Sequence, residues 1–458
     1  MSARLVVIAL DGADGGLVDR WSADGTLPAL AALRARGASS RLSAPPGITD
    51  DGLWASFQYA SGLGDHGRYH WRQRSRFGAV RKTYLDEDSR ESFWNELSRR
   101  EGHRVAVLDI PKCGRPRPLD GIHLADWLVH GRYARRPLSM PETLAEEVVE
   151  RFGEPPPSRC GYEVAALSDP EVEEVTGHLR TSVGQKRTAG LHYLASEPWD
   201  LFMIGFKEAH CAGHHLWDLA DAAHPEHDAE RAERLGHPLR QIYRDLDAAV
   251  GDLVEAAGDG AKVVVFATTE MEPNGSLVHL MPEIVRRMNR HLDGGTMARM
   301  IRRIQTLSDR FPAGWPCEIL PYNENCTALR VGPPPLPVFG YTRPNEALLD
   351  EIEAVLRDLV DVDTGRPVVA AIDRPSTREA GPRAVSLPDL LVRYEAGTFP
   401  RAVASSRLGV VEADRPDLRP GDHAPGGFLI GSPAVTAGVQ SMQDIGPMAA
   451  RVLRMSPL

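Results

Sequence analysis

Hydrophobic and polar positions along this chain fall into two kinds of segment. Short apolar, β-branched runs, Leu5 to Leu10, Val105 to Leu108, Leu201 to Phe206 and Val263 to Phe266, lack period-two alternation and read as strands buried on both faces. Between them lie stretches patterned as helices: Leu27 to Arg36, Glu91 to Arg100, Pro141 to Phe152 and Arg240 to Ala257. Strands alternating with helices predict an α/β fold, a mainly parallel sheet held between helical layers. In such sheets ligands gather beyond the carboxyl ends of the strands, so the polar residues that follow each apolar run are the first candidates for chemistry.

The alternation is interrupted once. From Leu277 to Ala384 the chain carries Pro312, Pro316, Pro321 and the run Pro333-Pro-Pro-Leu-Pro337, with one helical stretch from Asn345 to Leu359. Prolines at this density do not continue a sheet, and the strand pattern resumes after Ser386. Residues 277–384 are therefore expected to be an insertion that caps a core made of 1–276 and 385–458.

Composition narrows the function. Hydrophobic residues make up 42% and charged residues 25% of 458, ordinary values for a packed globular chain. The net charge of −10 leaves no broad basic surface, so neither nucleic acid nor a membrane is expected as a partner. An anion must be held locally, which points to a small anionic substrate; the pattern leaves room for a homodimer. Five cysteines, Cys113, Cys160, Cys211, Cys317 and Cys326, are odd in number and lack a CxxC pair, as in proteins of a reducing compartment. The six-residue apolar run at the N-terminus ends at Asp11 and is too short for a signal sequence, so a cytoplasmic location is the expectation.

Candidate chemistry sits at the strand ends. Asp11 follows the first run directly in Leu10-Asp-Gly-Ala-Asp-Gly15, where a carboxylate among glycines either binds a cation or caps a helix. Asp14 suits the capping role better. Thr49, in Pro45-Pro-Gly-Ile-Thr49-Asp-Asp-Gly, precedes a helical stretch whose positive end favours either an N-cap or an alkoxide nucleophile. After the third run, His210-Cys-Ala-Gly-His214 sets two imidazoles four residues apart, on one face of a helix and so able to share a metal. The third ligand is read as His423, held in the glycine-rich turn Pro420-Gly-Asp-His423-Ala-Pro-Gly-Gly427. A basic stretch, Arg68, Arg72, Arg74, Arg76, Arg81 and Lys82, is either a solvated face or a grip on phosphate or sulfate, with Arg68, Arg72 and Lys82 as the substrate-binding candidates.

These motifs in this order resemble the alkaline phosphatase superfamily, in its type I phosphodiesterase and nucleotide pyrophosphatase-like branch. The resemblance covers most of the chain: Val7-Ile-Ala-Leu-Asp-Gly12, Pro45-Pro46 to Trp54, Gly62-Leu-Gly-Asp-His-Gly67, Val105 to Pro111, Asp126-Trp127, Glu208 to His214, Pro388 to Val392 and Gly421-Asp-His423. It implies an alkaline phosphatase-like three-layer sandwich, two bound metal ions, usually zinc, and a Thr or Ser alkoxide that attacks a phosphate or sulfate ester in line. Carried onto this chain, it makes Thr49 the nucleophile, Asp11 and Thr49 ligands of one metal, and His210, His214 and His423 ligands of the other.

At the fourth strand the sequence departs from that pattern. Relatives carry an Asp-His or Ser-His pair there; this chain reads Ala267-Thr268-Thr269-Glu270-Met271-Glu272. One metal site is thus reduced to Asp11 and Thr49 unless Glu270 or Glu272 reaches it, and two protein ligands bind a divalent ion weakly, so one zinc is expected and a second is doubtful. Glu270 enters the candidate catalytic set for that reason. Three activities fit: hydrolysis of a phosphate or sulfate ester, then group transfer or elimination on an activated metabolite, and last a binding protein without catalysis.

Overall fold

The computed structural model describes residues 3–74, 80–83, 90–128, 136–157, 166–292, 317–332 and 345–454. Arg76, Cys160 and the proline run at 333–337 lie outside the described residues.

The apolar runs form the centre of an eight-stranded sheet in the order Ala38–Leu42, Gly427–Gly431, Lys262–Ala267, Leu5–Leu10, Leu201–Phe206, Val105–Leu108, Gly121–Ala125, Leu138–Met140. The five strands from Lys262–Ala267 to Gly121–Ala125 pair in parallel, and antiparallel strands finish both edges. Leu5–Leu10 lies in the middle and is buried throughout. Its side chains divide by parity: Val6, Ile8 and Leu10 enter one core, and Leu5, Val7 and Ala9 the other. Burying one such branched side chain contributes roughly 1.5–3 kcal/mol, which is why runs without polar alternation settle at the centre of a two-sided sheet. The expected sandwich is the observed one.

Helices Asp169–Ser196 and Pro238–Ala257 pack on the face that receives Ile8, and Asp51–Tyr59 with Ile445–Arg454 on the other. Asp14 caps the helix Gly15–Ala23, its carboxylate accepting from Leu17 N at 2.7 Å, as the sequence predicts.

A third hydrophobic cluster gathers Leu277, Ile284, Leu329, Ile352, Leu390, Val392 and Val411. Over it lies a four-stranded antiparallel sheet, Cys317–Leu320, Cys326–Val331, Leu390–Tyr394, Val369–Asp373. The described part of the inserted segment thus shares its sheet with chain that follows residue 384. A two-stranded ladder, Glu270–Pro273 with Gly421–Ala424, lies beside the main sheet. Among the described residues no helix is long and apolar enough to cross a membrane.

Candidate metal and nucleophile site

The site grows from the carboxyl ends of the parallel strands. Asp11 leaves the central strand with its backbone N–H bonded to Phe206 O at 2.8 Å. Gly12 then turns at φ +64°, where a Cβ would stand 2.6 Å from His210 Cα; only glycine lets the two segments approach this closely. Across that contact His210 Nδ1 lies 3.0 Å from Asp11 Oδ2. The other oxygen of Asp11 accepts from Trp54 Nε1 at 3.0 Å and Thr268 Oγ1 at 3.3 Å. Burial by itself raises the pKa of Asp11, but His210, Lys112 and Trp54 outweigh it and hold the carboxyl well below the usual range, so it is an anion.

His210 and His214 lie one turn apart on the buried helix Glu208–Leu216, and His423 comes from the strand Gly421–Ala424. The turn expected around His423 is thus a strand: Met271 pairs with it in the ladder, which extends the backbone and fixes the ring. The three ring centroids form a nearly equilateral triangle, 4.6, 4.7 and 4.7 Å on a side. His214 Nδ1 lies 2.8 Å from Gly421 O, which sets the tautomer and leaves Nε2 as the coordinating nitrogen. His210 Nε2 and His423 Nε2 are 3.3 Å apart. Two nitrogens on a tetrahedral zinc, each about 2.0–2.1 Å from the ion, stand ~3.3 Å from each other, so the spacing fits zinc. Burial, with the nearby charges of Lys112 and Arg419, holds the pKa of His423 well below its ordinary value, so the ring is neutral, as a metal ligand must be. His210, bonded to Asp11 on one nitrogen and converging with His423 through the other, has the carboxylate-imidazole arrangement that orients a metal ligand.

Thr49 ends the loop before the helix Asp51–Tyr59. Asp50, not Thr49, holds the N-cap position, at φ +43°, and makes no capping bond. The capping alternative for Thr49 is therefore removed. Its hydroxyl is buried and accepts from Asn323 Nδ2 at 2.8 Å. Asn323 comes from the turn between Cys317–Leu320 and Cys326–Val331, so the inserted segment reaches the hydroxyl directly. A hydrogen bond donated to that oxygen favours its anionic form.

Asp50 is fully buried, and ligand atoms of Asp50, Asp11 and His210 lie within 4.8 Å of one another. Lys112 Nζ pairs with Asp50 Oδ2 and lies 3.3 Å from Asp51 Oδ1.

Glu270 is not brought to this cluster. Its carboxylate pairs with Arg41 and lies against the Gly15 backbone, while burial and Asp14 raise its pKa. Glu272 pairs with Arg393 and accepts from Asn325 at 3.0 Å. At the fourth strand end Thr269 Oγ1 is buried without a hydrogen-bond partner, and Thr268 bonds Asp11. Replacing Glu270 by glutamine is expected to leave zinc content unchanged and ester hydrolysis within about twofold of wild type, read by metal analysis and initial rates; loss of bound zinc would return Glu270 to the ligand set.

The basic stretch divides. Arg68 is buried, its backbone N–H bonded to His66 Nδ1 at 3.0 Å. Arg72 and Lys82 are exposed on the hairpin Arg72–Arg74 with Val80–Lys82 and flank the Trp71 ring at 4.8 and 5.7 Å. Trp71 N donates to Asp51 Oδ2 at 3.0 Å, which ties this hairpin to the site's edge.

Beneath the histidines lies a charged network absent from the sequence reading. Asp109 bonds Lys207 at 2.8 Å and Lys186 at 3.1 Å, and Lys186 reaches Glu208 at 3.2 Å, all four side chains being buried. Lys207 and Glu208 open the helix that carries His210 and His214, so this network fixes its first turn.

The type I phosphodiesterase / nucleotide pyrophosphatase family profile matches residues 5–309, well over half of the chain. The chain belongs to that family. It is an enzyme of the alkaline phosphatase superfamily, with a phosphoester- or pyrophosphate-hydrolase-like function. Similar solved structures include phosphonoacetate hydrolase from Sinorhizobium meliloti 1021 in complex with phosphonoformate, 15% identical, with a TM-score of 0.56 over 98% of this chain and 96% of that one. An inactive murine ectonucleotide pyrophosphatase / phosphodiesterase 5 in complex with AMP is 11% identical, with a TM-score of 0.50 over 100% of this chain and 96% of that one. At those identities the likeness is one of fold. No curated protein matches the chain by sequence.

Proposed function

We propose that the chain is a zinc-dependent hydrolase of the phosphate ester of a small metabolite, with Thr49 as nucleophile. The observation that carries the reading is the convergence of His210, His214 and His423 at a spacing suited to tetrahedral zinc, with Asp11 orienting His210. A zinc ion held there supplies Lewis-acid charge to an ester oxygen. The protein's own groups then divide the work. Thr49 Oγ1 attacks phosphorus as its P–O bond to the ester's alkoxide breaks, the hydroxyl proton ending on that alkoxide as it leaves as the alcohol; water later cleaves the threonyl phosphate, its oxygen going to phosphorus and a proton returning to Thr49. Asn323 Nδ2 holds the attacking oxygen and disperses its charge. Arg72 and Lys82 stand at the rim as the first cations an anionic substrate meets.

A phosphate rather than a sulfate ester is favoured by the family to which the chain belongs. Transfer or elimination would call for a base, and Glu270, the acidic residue at the fourth strand end, is engaged by Arg41.

The test is metal removal. Protein stripped by a chelator is expected to lose at least about 100-fold in the rate on an aryl phosphate diester and to regain it on addition of one equivalent of zinc. A stripped, folded protein that retains its rate would end the zinc reading; a zinc-loaded protein inert toward phosphate mono- and diesters would end the hydrolase reading.

A further inference from the structure

The second pole of the site has one set of atoms close enough together to hold a divalent ion, from Asp11, Asp50 and His210, but Lys112 is already paired with Asp50 there. Asp11 already spends its oxygens on His210, Trp54 and Thr268, and the fourth strand end offers two threonine hydroxyls, not an imidazole. What the structure does put there is a cation of its own. Lys112 follows the strand Val105–Leu108 at the same carboxyl edge of the sheet, and its side chain is buried. Its ammonium pairs with Asp50, the residue after Thr49, and lies 3.3 Å from Asp51. Asp50 in turn shares a cluster with Asp11 and His210. We propose that Lys112 takes the place of the second metal ion: its ammonium is the fixed positive charge beside the Thr49 loop, and the chain works with one zinc.

Charge balance favours this arrangement. The three negative charges of the buried Asp11, Asp50 and Asp51 are matched by one ammonium and the one divalent ion that the three imidazoles can hold, while the buried Asp422 beside His214 and His423 is matched by Arg419. A second divalent ion beside Lys112 adds two uncompensated positive charges to a buried site, where unpaired charge is expensive.

The catalytic part of the proposal rests on the hydrolase reading; the metal count does not. Calorimetric titration of the stripped full chain with zinc is expected to give one site in wild type, one in Lys112→Arg, and two in Lys112→Ala, where loss of the ammonium leaves Asp11, Asp50 and Asp51 to take a second ion. With one equivalent of zinc, Lys112→Ala is expected to lose about 100-fold in kcat on the aryl diester, and Lys112→Arg to keep a larger share of it. Two zinc sites in wild type overturn the proposal. So does a folded Lys112→Ala that binds only one ion, since the lysine then fills no cation's place. The wild-type count stands even if the alanine variant does not fold. Absence of esterase activity in wild type would instead sink the hydrolase reading while leaving the count to decide the role of Lys112.

Discussion

Replacing Thr49 by alanine is expected to lower kcat/KM on an aryl phosphate diester by about 10³-fold or more, while bound zinc stays at the wild-type level. The magnitude follows from what is removed. Thr49 Oγ1 is the proposed attacking atom, and it is not part of the group of three imidazoles proposed to hold the metal, so the ion should remain. One structural cost accompanies the change: Asn323 Nδ2, buried and donating to that hydroxyl, loses its acceptor, a loss of about 1–3 kcal/mol in stability. Serine keeps an oxygen at the same distance from the backbone, so Thr49→Ser should restore much of the rate and most of the stability. Initial rates, zinc analysis and thermal unfolding on the three proteins read all of this. Full activity in Thr49→Ala with zinc present would remove Thr49 from the mechanism.

The parallel core was legible because buried strands advertise themselves. Leu5 to Leu10, Val105 to Leu108 and Leu201 to Phe206 have the same bounds in sequence and structure, since an unbroken apolar run fits only a sheet covered on both sides. The helix Asp169–Ser196, 28 residues long, was not legible: its buried face includes Thr176, Ser182, Lys186 and Gly190, so no clean apolar stripe marks it. Its task is partly electrostatic, with Lys186 supporting Asp109 and Glu208 under the histidine helix. Edge strands such as Ala38–Leu42 escaped for a related reason, being half exposed and polar.

Within the site, His210, His214 and Asp11 were readable from strand ends and helical spacing, His423 was read beside them from its glycine-rich segment, and the family resemblance gave Thr49 its part as nucleophile. Asp50 and Lys112 were within reach. One adjoins Thr49 and the other follows Val105–Leu108, so the strand-end rule applied to that run points at it. Asn323 carried no local signal. Its meeting with Thr49 spans 274 positions and depends on how the inserted sheet docks, which no window of sequence encodes. Glu270 illustrates the opposite error. A carboxylate next to a ligand position in sequence looked available, yet alternation along the extended strand Glu270–Pro273 and the nearby Arg41 guanidinium turned it elsewhere.

Changing His423 to alanine is expected to remove bound zinc under conditions that leave wild type with one equivalent, and to abolish zinc's effect on thermal stability. In wild type, zinc in thousandfold excess over its dissociation constant stabilises the folded chain by about 4 kcal/mol, because the ligands converge only when folded. With His423 gone, two imidazoles remain on one helix, and among the described residues no third ligand atom lies close to both of them. The fold should persist without the ion. Met271 and His423 are joined through backbone pairing in the ladder, which alanine keeps, and the neighbouring Asp422 retains its contacts with Arg419 and the Asn325 backbone. The two halves of the expectation are separable: zinc analysis reports the ligand, and thermal unfolding with and without added zinc reports the linkage. The midpoint should rise with zinc in wild type and stay fixed in His423→Ala. A variant that still binds one tight equivalent, with the same rise in midpoint, would show that the ion sits elsewhere, and the assignment of His210, His214 and His423 as its ligands would have to be given up.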